Sequence, residues 1–152
     1  MYKFHLLFST VLGIGYFPKA PGTAGSLIAL LVFWFFPIPL IYFIALLIVL
    51  SVIGIKSASI VEEKLGEDPS IVVIDEFVGQ GLAVLLIPHT VTFFLIAFIL
   101  FRLFDIWKPG PINKAQELHG GLGIMLDDVL AGVFSNIILQ LIIFSGILNA
   151  AI

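Results

Sequence analysis

The sequence predicts an all-α fold, a polytopic bundle of membrane helices built from about five hydrophobic segments. Of the 152 residues, 61% are hydrophobic and only 11% are charged, and the mean hydropathy is +1.21. A soluble domain is nearer half apolar and a quarter charged. Three stretches without charged residues (20–55, 77–101 and 129–152) are each long enough for a bilayer-crossing helix or a helical hairpin. We therefore expect one membrane-embedded domain over residues 1–152.

Glycine and proline divide the first half of the chain. A loop rich in both residues, from Gly13, precedes a first helix predicted at about 26–36, which ends at the Pro-Ile-Pro of 37–39. At about 1.5 Å per residue this segment is shorter than the roughly 30 Å hydrocarbon core. It is therefore either half of a re-entrant hairpin or a helix that begins earlier, near Thr23. A second helix, with a polar continuation, is predicted at 40–66.

The third and fourth helices are bounded by turn residues. Asp68 or Ser70 is the predicted cap of the third helix, and the Pro-His-Thr sequence at 88–90 separates it from the fourth. The fourth helix is predicted to end at Trp107, because the Lys-Pro-Gly-Pro of 108–111 cannot continue it. A glycine-rich loop then leads to a fifth helix, which is predicted from about Met125 to Leu148.

The basic residues predict the orientation of these segments. The turns at 37–39 and 88–90 have no Lys or Arg, whereas six lysines fall at the opposite ends of the segments: Lys3, Lys19, Lys56, Lys64, Lys108 and Lys114. The positive-inside rule makes that end cytoplasmic. Five crossings then place the N-terminus inside and the C-terminus outside. The first residues predict no cleavable signal peptide, so insertion would depend on the internal segments.

Five carboxylates interrupt the most hydrophobic passages, and this topology places them at one depth near the cytoplasmic boundary: Asp75, Glu76, Asp105, Asp127 and Asp128. A carboxylate within a lipid-facing or core helix costs several kcal/mol unless it meets a cation. Arg102 lies on the same helix face as Asp105 and can form a plain ion pair with it, but one Arg cannot neutralise five acids. Hard oxygen ligands suit Mg²⁺ or Mn²⁺. The pattern therefore predicts one shared metal site, with Arg102 and Lys108 as partners of a phosphate.

The glycine-rich loop near the N-terminus permits two interpretations. Its backbone N–H groups can cradle a phosphate or a lipid headgroup, with Thr23 and Ser26 contacting the substrate. Alternatively, it is an interfacial loop in which these two residues cap the following helix. The net charge of -3 argues against a nucleic-acid partner, and the absence of cysteine excludes thiol catalysis and thiolate metal sites.

Four motifs resemble those of the bacterial phosphatidylglycerophosphatase A family, in the same order and over residues 13–132. They are the Gly13–Ser26 loop with Pro-Gly-Thr-x-Gly-Ser, Ile74-Asp-Glu-x-x-Gly79, Phe101-Arg-Leu-Phe-Asp-Ile-x-Lys-Pro-x-Pro111, and Gly120-Gly-x-Gly-Ile-Met-Leu-Asp-Asp-x-x-Ala-Gly132. The resemblance implies a magnesium-dependent lipid phosphatase of the bacterial inner membrane, which hydrolyses the phospholipid phosphatidylglycerophosphate at the cytoplasmic face. It also implies that Asp75, Glu76, Asp105, Asp127 and Asp128 form the metal and catalytic set, and that Arg102 and Lys108 bind phosphate.

Two other functions use similar residues. A phosphotransferase acting on another lipid headgroup also needs membrane acids and a divalent metal, but the Asp-Gly-x-x-Ala-Arg motif of the CDP-alcohol class is absent. A cation transporter would need polar groups spread through the bilayer or near its midplane, whereas the outer halves of these helices are uncharged.

Overall fold

The computed structural model describes residues 1–146, and within that range the chain forms seven α-helices and no β-strand. The helices are α1 (Tyr2–Ser9), α2 (Pro21–Phe35), α3 (Leu40–Leu65), α4 (Ile74–Ala83), α5 (Val91–Trp107), α6 (Pro111–Gln116) and α7 (Gly121–Ser145). A short 3-10 turn at Ile14–Tyr16 lies between α1 and α2. The prediction of an all-α fold is therefore confirmed.

The long helices run alternately towards and away from one polar end of the bundle. At the opposite, apolar end, the ring of His89 lies 3.0 Å from the carbonyl oxygen of Trp34 and stacks on its indole, which joins the turn before α5 to the end of α2. At the polar end, the N–H of Gly121 donates to Ser59 Oγ over 2.9 Å, which joins the start of α7 to α3. The polar end thus holds the beginnings of α2, α4 and α7.

The centre of the bundle is a close crossing of α4 and α7 at two glycines. A Cβ on Gly132 would overlap the carbonyl oxygen of Gly79, and a Cβ on Gly79 would lie 2.6 Å from the carbonyl oxygen of Asp128. Backbone atoms cannot move aside as the end of a side chain can, so this crossing requires glycine on both helices. Asp75 lies one turn before Gly79, and Asp128 lies one turn before Gly132. The crossing therefore brings these two acids together.

The end of α4 is stabilised by polar side chains of the otherwise apolar α7. After Ala83 the chain leaves the helix, so its last carbonyl groups need donors from elsewhere. Asn136 Nδ2 donates to the carbonyls of Ala83 and Leu85, over 3.2 and 2.6 Å. Gln140 Nε2 donates to the carbonyl of Leu86 over 3.1 Å. These hydrogen bonds explain why α7, which is otherwise apolar, contains the amide side chains of Asn136 and Gln140.

Within residues 1–146, two helices are long and apolar enough to span a membrane: α3, with 26 residues and a hydropathy of 2.4, and α7, with 25 residues and a hydropathy of 1.8. The helix α2 is apolar but shorter, with 15 residues. Several helices also expose large apolar side chains: Leu31 and Phe35 on α2, Ile41 and Val52 on α3, Leu95 and Ile99 on α5, and Leu141 and Phe144 on α7. The structure supports a membrane protein by length and composition, and five crossings are not confirmed.

Several predicted boundaries were wrong, and tertiary contacts explain the largest error. The third predicted helix begins at Ile74, not at Asp68–Ser70, and neither predicted residue caps it. Val73 N–H instead donates to the carbonyl of Ser9 over 2.8 Å, which holds the preceding residues against the end of α1. Asp68 has a left-handed φ of 43°, which ends helical geometry locally.

The glycine-rich segments are more helical than the sequence predicts. The helix α2 begins at Pro21, so the earlier start expected as an alternative is found, a little before Thr23. Likewise, α7 begins at Gly121 and not near Met125, and the predicted end at Leu148 lies outside the described residues. The short helices α1 and α6 were not predicted.

Candidate active site

A cavity of about 660 Å³ opens at the polar end of the bundle. Eight of the nine residues predicted for the site line it: Thr23, Asp75, Glu76, Arg102, Asp105, Lys108, Asp127 and Asp128. They come from α2, α4, α5, α7 and the residue that follows α5. Ser26 is fully buried and is not among the lining residues. The helices therefore gather into one cavity residues that are far apart in sequence.

Three of the five carboxylates form a compact cluster. One oxygen each of Asp75, Glu76 and Asp128 lies within 4.8 Å of the others. Asp75 Oδ1, Glu76 Oε2 and Asp128 Oδ1 are buried and have no hydrogen-bond partner in the described part of the chain. Buried polar atoms are nearly always satisfied, so these three unpartnered carboxylate oxygens are candidate ligands of a cation. Their oxygen chemistry and spacing fit a hard divalent metal ion.

Asp127 points to a lysine instead. Lys108 Nζ donates to Asp127 Oδ2 over 2.6 Å, and the other oxygen of Asp127 accepts the N–H of Asp128 over 2.9 Å. Burial acts to lower the pKa of Lys108, but the hydrogen bond to Asp127 and the charges of Asp127, Asp128 and Asp105 outweigh it and raise the pKa above its usual value. Lys108 is therefore held in its charged form inside the cavity.

Arg102 and Asp105 form an ion pair one helical turn apart on α5. Arg102 Nη1 also donates to Ser26 Oγ over 3.4 Å, and Ser26 in turn donates to the carbonyl of Gly22 over 2.8 Å. Arg102 Nε has no partner within residues 1–146. Asp105 also lies in interaction range of Asp128 and Glu76. The pair thus borders the carboxylate cluster and leaves Arg102 a free donor.

The beginning of α2 forms a wall of the cavity. No side chain caps this helix, so Thr23 is not a cap and its hydroxyl has no partner among the described residues. Gly22 packs against the cluster so closely that a Cβ would overlap Glu76 Oε1 and lie 3.4 Å from Arg102 Nη1. The glycine here is required by the approach of α2 to the acids, which the sequence interpretation as a loop did not anticipate.

Some cavity residues were not predicted as site residues. Lys19, Glu62, Glu67, Asp68, Gln116, Glu117 and His119 also line the cavity. Glu62 lies near the end of α3 and Glu67 lies just after that helix, so both reach the cavity only through tertiary packing. Gln80 is fully buried one turn beyond Glu76, and neither atom of its amide has a partner in the part of the chain described.

Comparisons with known proteins identify relatives over most of the chain. The family model described as Phosphatidylglycerophosphatase A matches residues 7–143. A protein of Bacteroides thetaiotaomicron named putative phosphatidylinositol-3-phosphatase is 43% identical over 144 residues, which cover 88% of this chain and 90% of the relative. The phosphatidylglycerophosphatase A of Escherichia coli is 37% identical over 143 residues, which cover 91% and 82%. No solved structure matches the chain.

Proposed function

Because the chain belongs to the phosphatidylglycerophosphatase A family, we propose that it hydrolyses phosphatidylglycerophosphate to phosphatidylglycerol and inorganic phosphate. The observation that carries the chemistry is the cluster of Asp75, Glu76 and Asp128, with its three unpartnered oxygens next to Arg102. Phosphomonoester hydrolysis depends mainly on positioning and on neutralising phosphate charge, and this cavity supplies groups for both.

We assign the three clustered carboxylates as ligands of Mg²⁺, with Mn²⁺ as an alternative that the same oxygens fit. When bound, a divalent ion supplies positive charge to the phosphate oxygens. Asp105 and Asp127 have cationic partners, and their proposed roles are to orient Arg102 and Lys108. This assignment divides the predicted five-acid set into three metal ligands and two positioning acids.

Arg102 and Lys108 are the proposed phosphate partners. Arg102 has an unpartnered Nε and presents a planar fork that suits the oxygens of a phosphate. Lys108 is charged and is held at the cavity by Asp127. Water attacks phosphorus and the bond from phosphorus to the glycerol oxygen breaks. One proton of the water goes to the leaving glycerol oxygen, which gives phosphatidylglycerol and inorganic phosphate, and the two cations offset the negative charge on the phosphate oxygens.

We propose that the bundle is a multi-pass protein of the bacterial cytoplasmic membrane and that the cavity faces the cytoplasm. The exposed apolar faces of α2, α3, α5 and α7 support embedding, as do the two helices of spanning length. The lysines at the polar end support the orientation. A cavity at that boundary reaches a lipid headgroup while the acyl chains stay in the bilayer.

Phosphatidylinositol 3-phosphate is a second candidate substrate, because the relative with 43% identity carries that activity in its name. Both lipids contain a phosphomonoester on a polyol and the same chemistry serves either. By contrast, nothing favours a cation transporter, since the acids gather at one end of the bundle and do not continue along its axis.

The function is tested by phosphate release from the purified chain in detergent micelles. We expect Mg²⁺-dependent release from phosphatidylglycerophosphate, loss of activity in a chelator, and at least a hundredfold lower kcat/KM for Asp128→Asn, since a charge in direct contact with the metal is removed. Glu63→Gln is the matched control, because Glu63 is exposed on α3 and does not line the cavity. Undiminished activity in the chelator, or in Asp128→Asn, would refute the metal site.

Parallel assays with phosphatidylinositol 3-phosphate and glycerol 3-phosphate rank the substrates.

A further inference from the structure

Among the described residues, three cationic side chains line the cavity, and one of them has no acidic partner there. Arg102 pairs with Asp105 and Lys108 pairs with Asp127. Lys19 lines the same cavity, and its ammonium group makes no ion pair or hydrogen bond within residues 1–146. Four further acids line the cavity: Glu62, Glu67, Asp68 and Glu117. Lys19 is therefore the free positive charge of an otherwise acidic rim.

The backbone at Lys19 is in an unusual conformation. Its φ is +73°, a left-handed geometry that costs a residue with a Cβ about 1 kcal/mol or more. Pro18 and Pro21 flank it, and Pro21 is the first residue of α2. Glycine or asparagine would adopt this geometry more easily, so the lysine is not explained by the needs of the turn.

The surroundings of Lys19 are those of a membrane boundary. Tyr16 and Phe17, just before it in the chain, are 60% and 58% exposed. On the neighbouring end of α5, Ile106 lines the cavity, and both Ile106 and Trp107 are largely exposed. Exposed aromatic and apolar side chains of this kind lie at the level of lipid headgroups. Lys19 thus lines the cavity close in sequence to exposed aromatic side chains and shares that lining with an exposed apolar residue of α5.

We propose that Lys19 binds the phosphodiester of the lipid substrate, the group that joins the headgroup to the diacylglycerol. The inference rests on the proposed function, since the substrate must carry both a monoester to be cleaved and a diester that stays intact. The monoester is assigned to Arg102, Lys108 and the carboxylate cluster. Both of these cations already have an acidic partner, so neither is assigned to the diester as well. The diester has a permanent negative charge, and without Lys19 it would meet the acids of the rim. Lys19 would therefore select substrates with two phosphates.

The test compares two soluble substrates that differ in the diester. The deacylated headgroup glycerophosphoglycerophosphate has both phosphates, whereas glycerol 3-phosphate has the monoester alone. We expect Lys19→Asn to lower kcat/KM for the first by about tenfold to a hundredfold, mainly through KM, and to leave the second unchanged. Asparagine tolerates the left-handed backbone, so folding is preserved, and Lys19→Arg should restore most of the loss. Lys114→Asn, at an exposed lysine of α6 outside the cavity, is the matched control.

A binding measurement separates this inference from the activity itself. Glycerophosphoglycerol contains only the diester, and its phosphorus NMR signal should broaden with the wild-type chain and with Lys19→Arg but not with Lys19→Asn. Equal broadening by the wild type and Lys19→Asn, or equal kinetic losses on both soluble substrates, would overturn the role of Lys19. If the wild type released no phosphate from phosphatidylglycerophosphate, the proposed function would fail, and the broadening would still decide whether Lys19 binds a diester.

Discussion

Adjacent acids in this chain have different partners, and that difference separates their roles. Asp128 has an unpartnered buried oxygen in the carboxylate cluster, whereas both oxygens of its neighbour Asp127 are bonded, one to Lys108 and one to a backbone N–H. Successive residues of a helix point about 100° apart, so a paired sequence can serve two functions. The proposed functions are metal binding for Asp128 and the orientation of Lys108 for Asp127.

The two acids should therefore respond differently to replacement. Asp128→Asn removes a proposed metal ligand, so the Mg²⁺ concentration for half-maximal activity should rise by at least about a hundredfold. Asp127→Asn should lower kcat/KM by about tenfold or more, because Lys108 loses its ion pair, while the Mg²⁺ requirement changes little. Titration of activity with Mg²⁺ for both variants gives the answer. Equal rises in the Mg²⁺ requirement would show that both acids bind the metal.

The sequence predicted which polar residues gather in one cavity more completely than it predicted the contacts among them. Eight of nine predicted residues line the cavity, because carboxylates in apolar helices are rare enough to be informative. The i, i+3 spacing predicted the ion pair of Arg102 with Asp105, which the structure shows. The pairing of Asp127 with Lys108 depends on how α7 faces the end of α5, and no residue pattern specifies that. Lys19 was not predicted because a single lysine beside prolines is typical of any surface turn.

Among the elements, α4 and α7 matter most, because their crossing sets the separation of Asp75 from Asp128. Backbone meets backbone at Gly79 and Gly132, so no rotamer change can absorb an added methyl group. The α4 helix is short, with 10 residues, and its end depends on Asn136 of α7. These two helices therefore act as one unit that carries the carboxylate cluster.

Gly132→Ala should push these helices apart. We expect a loss of roughly 1–3 kcal/mol in the free energy of unfolding, together with weaker Mg²⁺ binding, because the ligands of the two helices separate. Thermal unfolding in detergent with and without Mg²⁺ measures both effects. Leu141→Ala, on an exposed face of the same helix, is the control and should change neither quantity substantially. Normal stability and Mg²⁺ dependence in Gly132→Ala would contradict the crossing as described.

The element boundaries show where sequence patterns stop being informative. Hydrophobic runs and prolines correctly predicted the turns at 37–39 and 88–90, because these signals are local. The start of α4 was missed because the hydrogen bond from Val73 to Ser9 is a contact between distant parts of the chain. The glycines at the start of α2 suggested a loop. In the structure they are helical, and Gly22 and Gly25 leave no room for a Cβ because Glu76 and Val73 pack against them.

At the scale of the whole molecule, the charged end and the apolar faces define an axis for the bundle. The polar cavity lies at one end, and the contact of His89 with Trp34 closes the other. The proposed topology places the first end in the cytoplasm. The chain has no cysteine, so labelling of a single introduced cysteine can report this orientation without a background signal.

Single-cysteine labelling should give opposite results at the two ends. Glu63 lies exposed at the polar end and Thr92 lies exposed at the start of α5 near the other. In intact cells, a membrane-impermeant maleimide should label Thr92→Cys but not Glu63→Cys, and after permeabilisation it should label both. Labelling of both residues in intact cells, or the reverse pattern, would disprove the topology.

The unequal helix lengths have a consequence for the surrounding lipid. At 1.5 Å per residue, α2 and α5 extend about 22 and 25 Å, whereas α3 and α7 extend close to 40 Å. In the proposed topology, one flank of the bundle would be in negative hydrophobic mismatch with an ordinary bilayer, which would thin locally to cover it. Headgroups beside α2 and α5 would then sink towards the cavity. The bilayer itself would thereby deliver the substrate phosphate to the depth of the carboxylates, without extraction of the lipid.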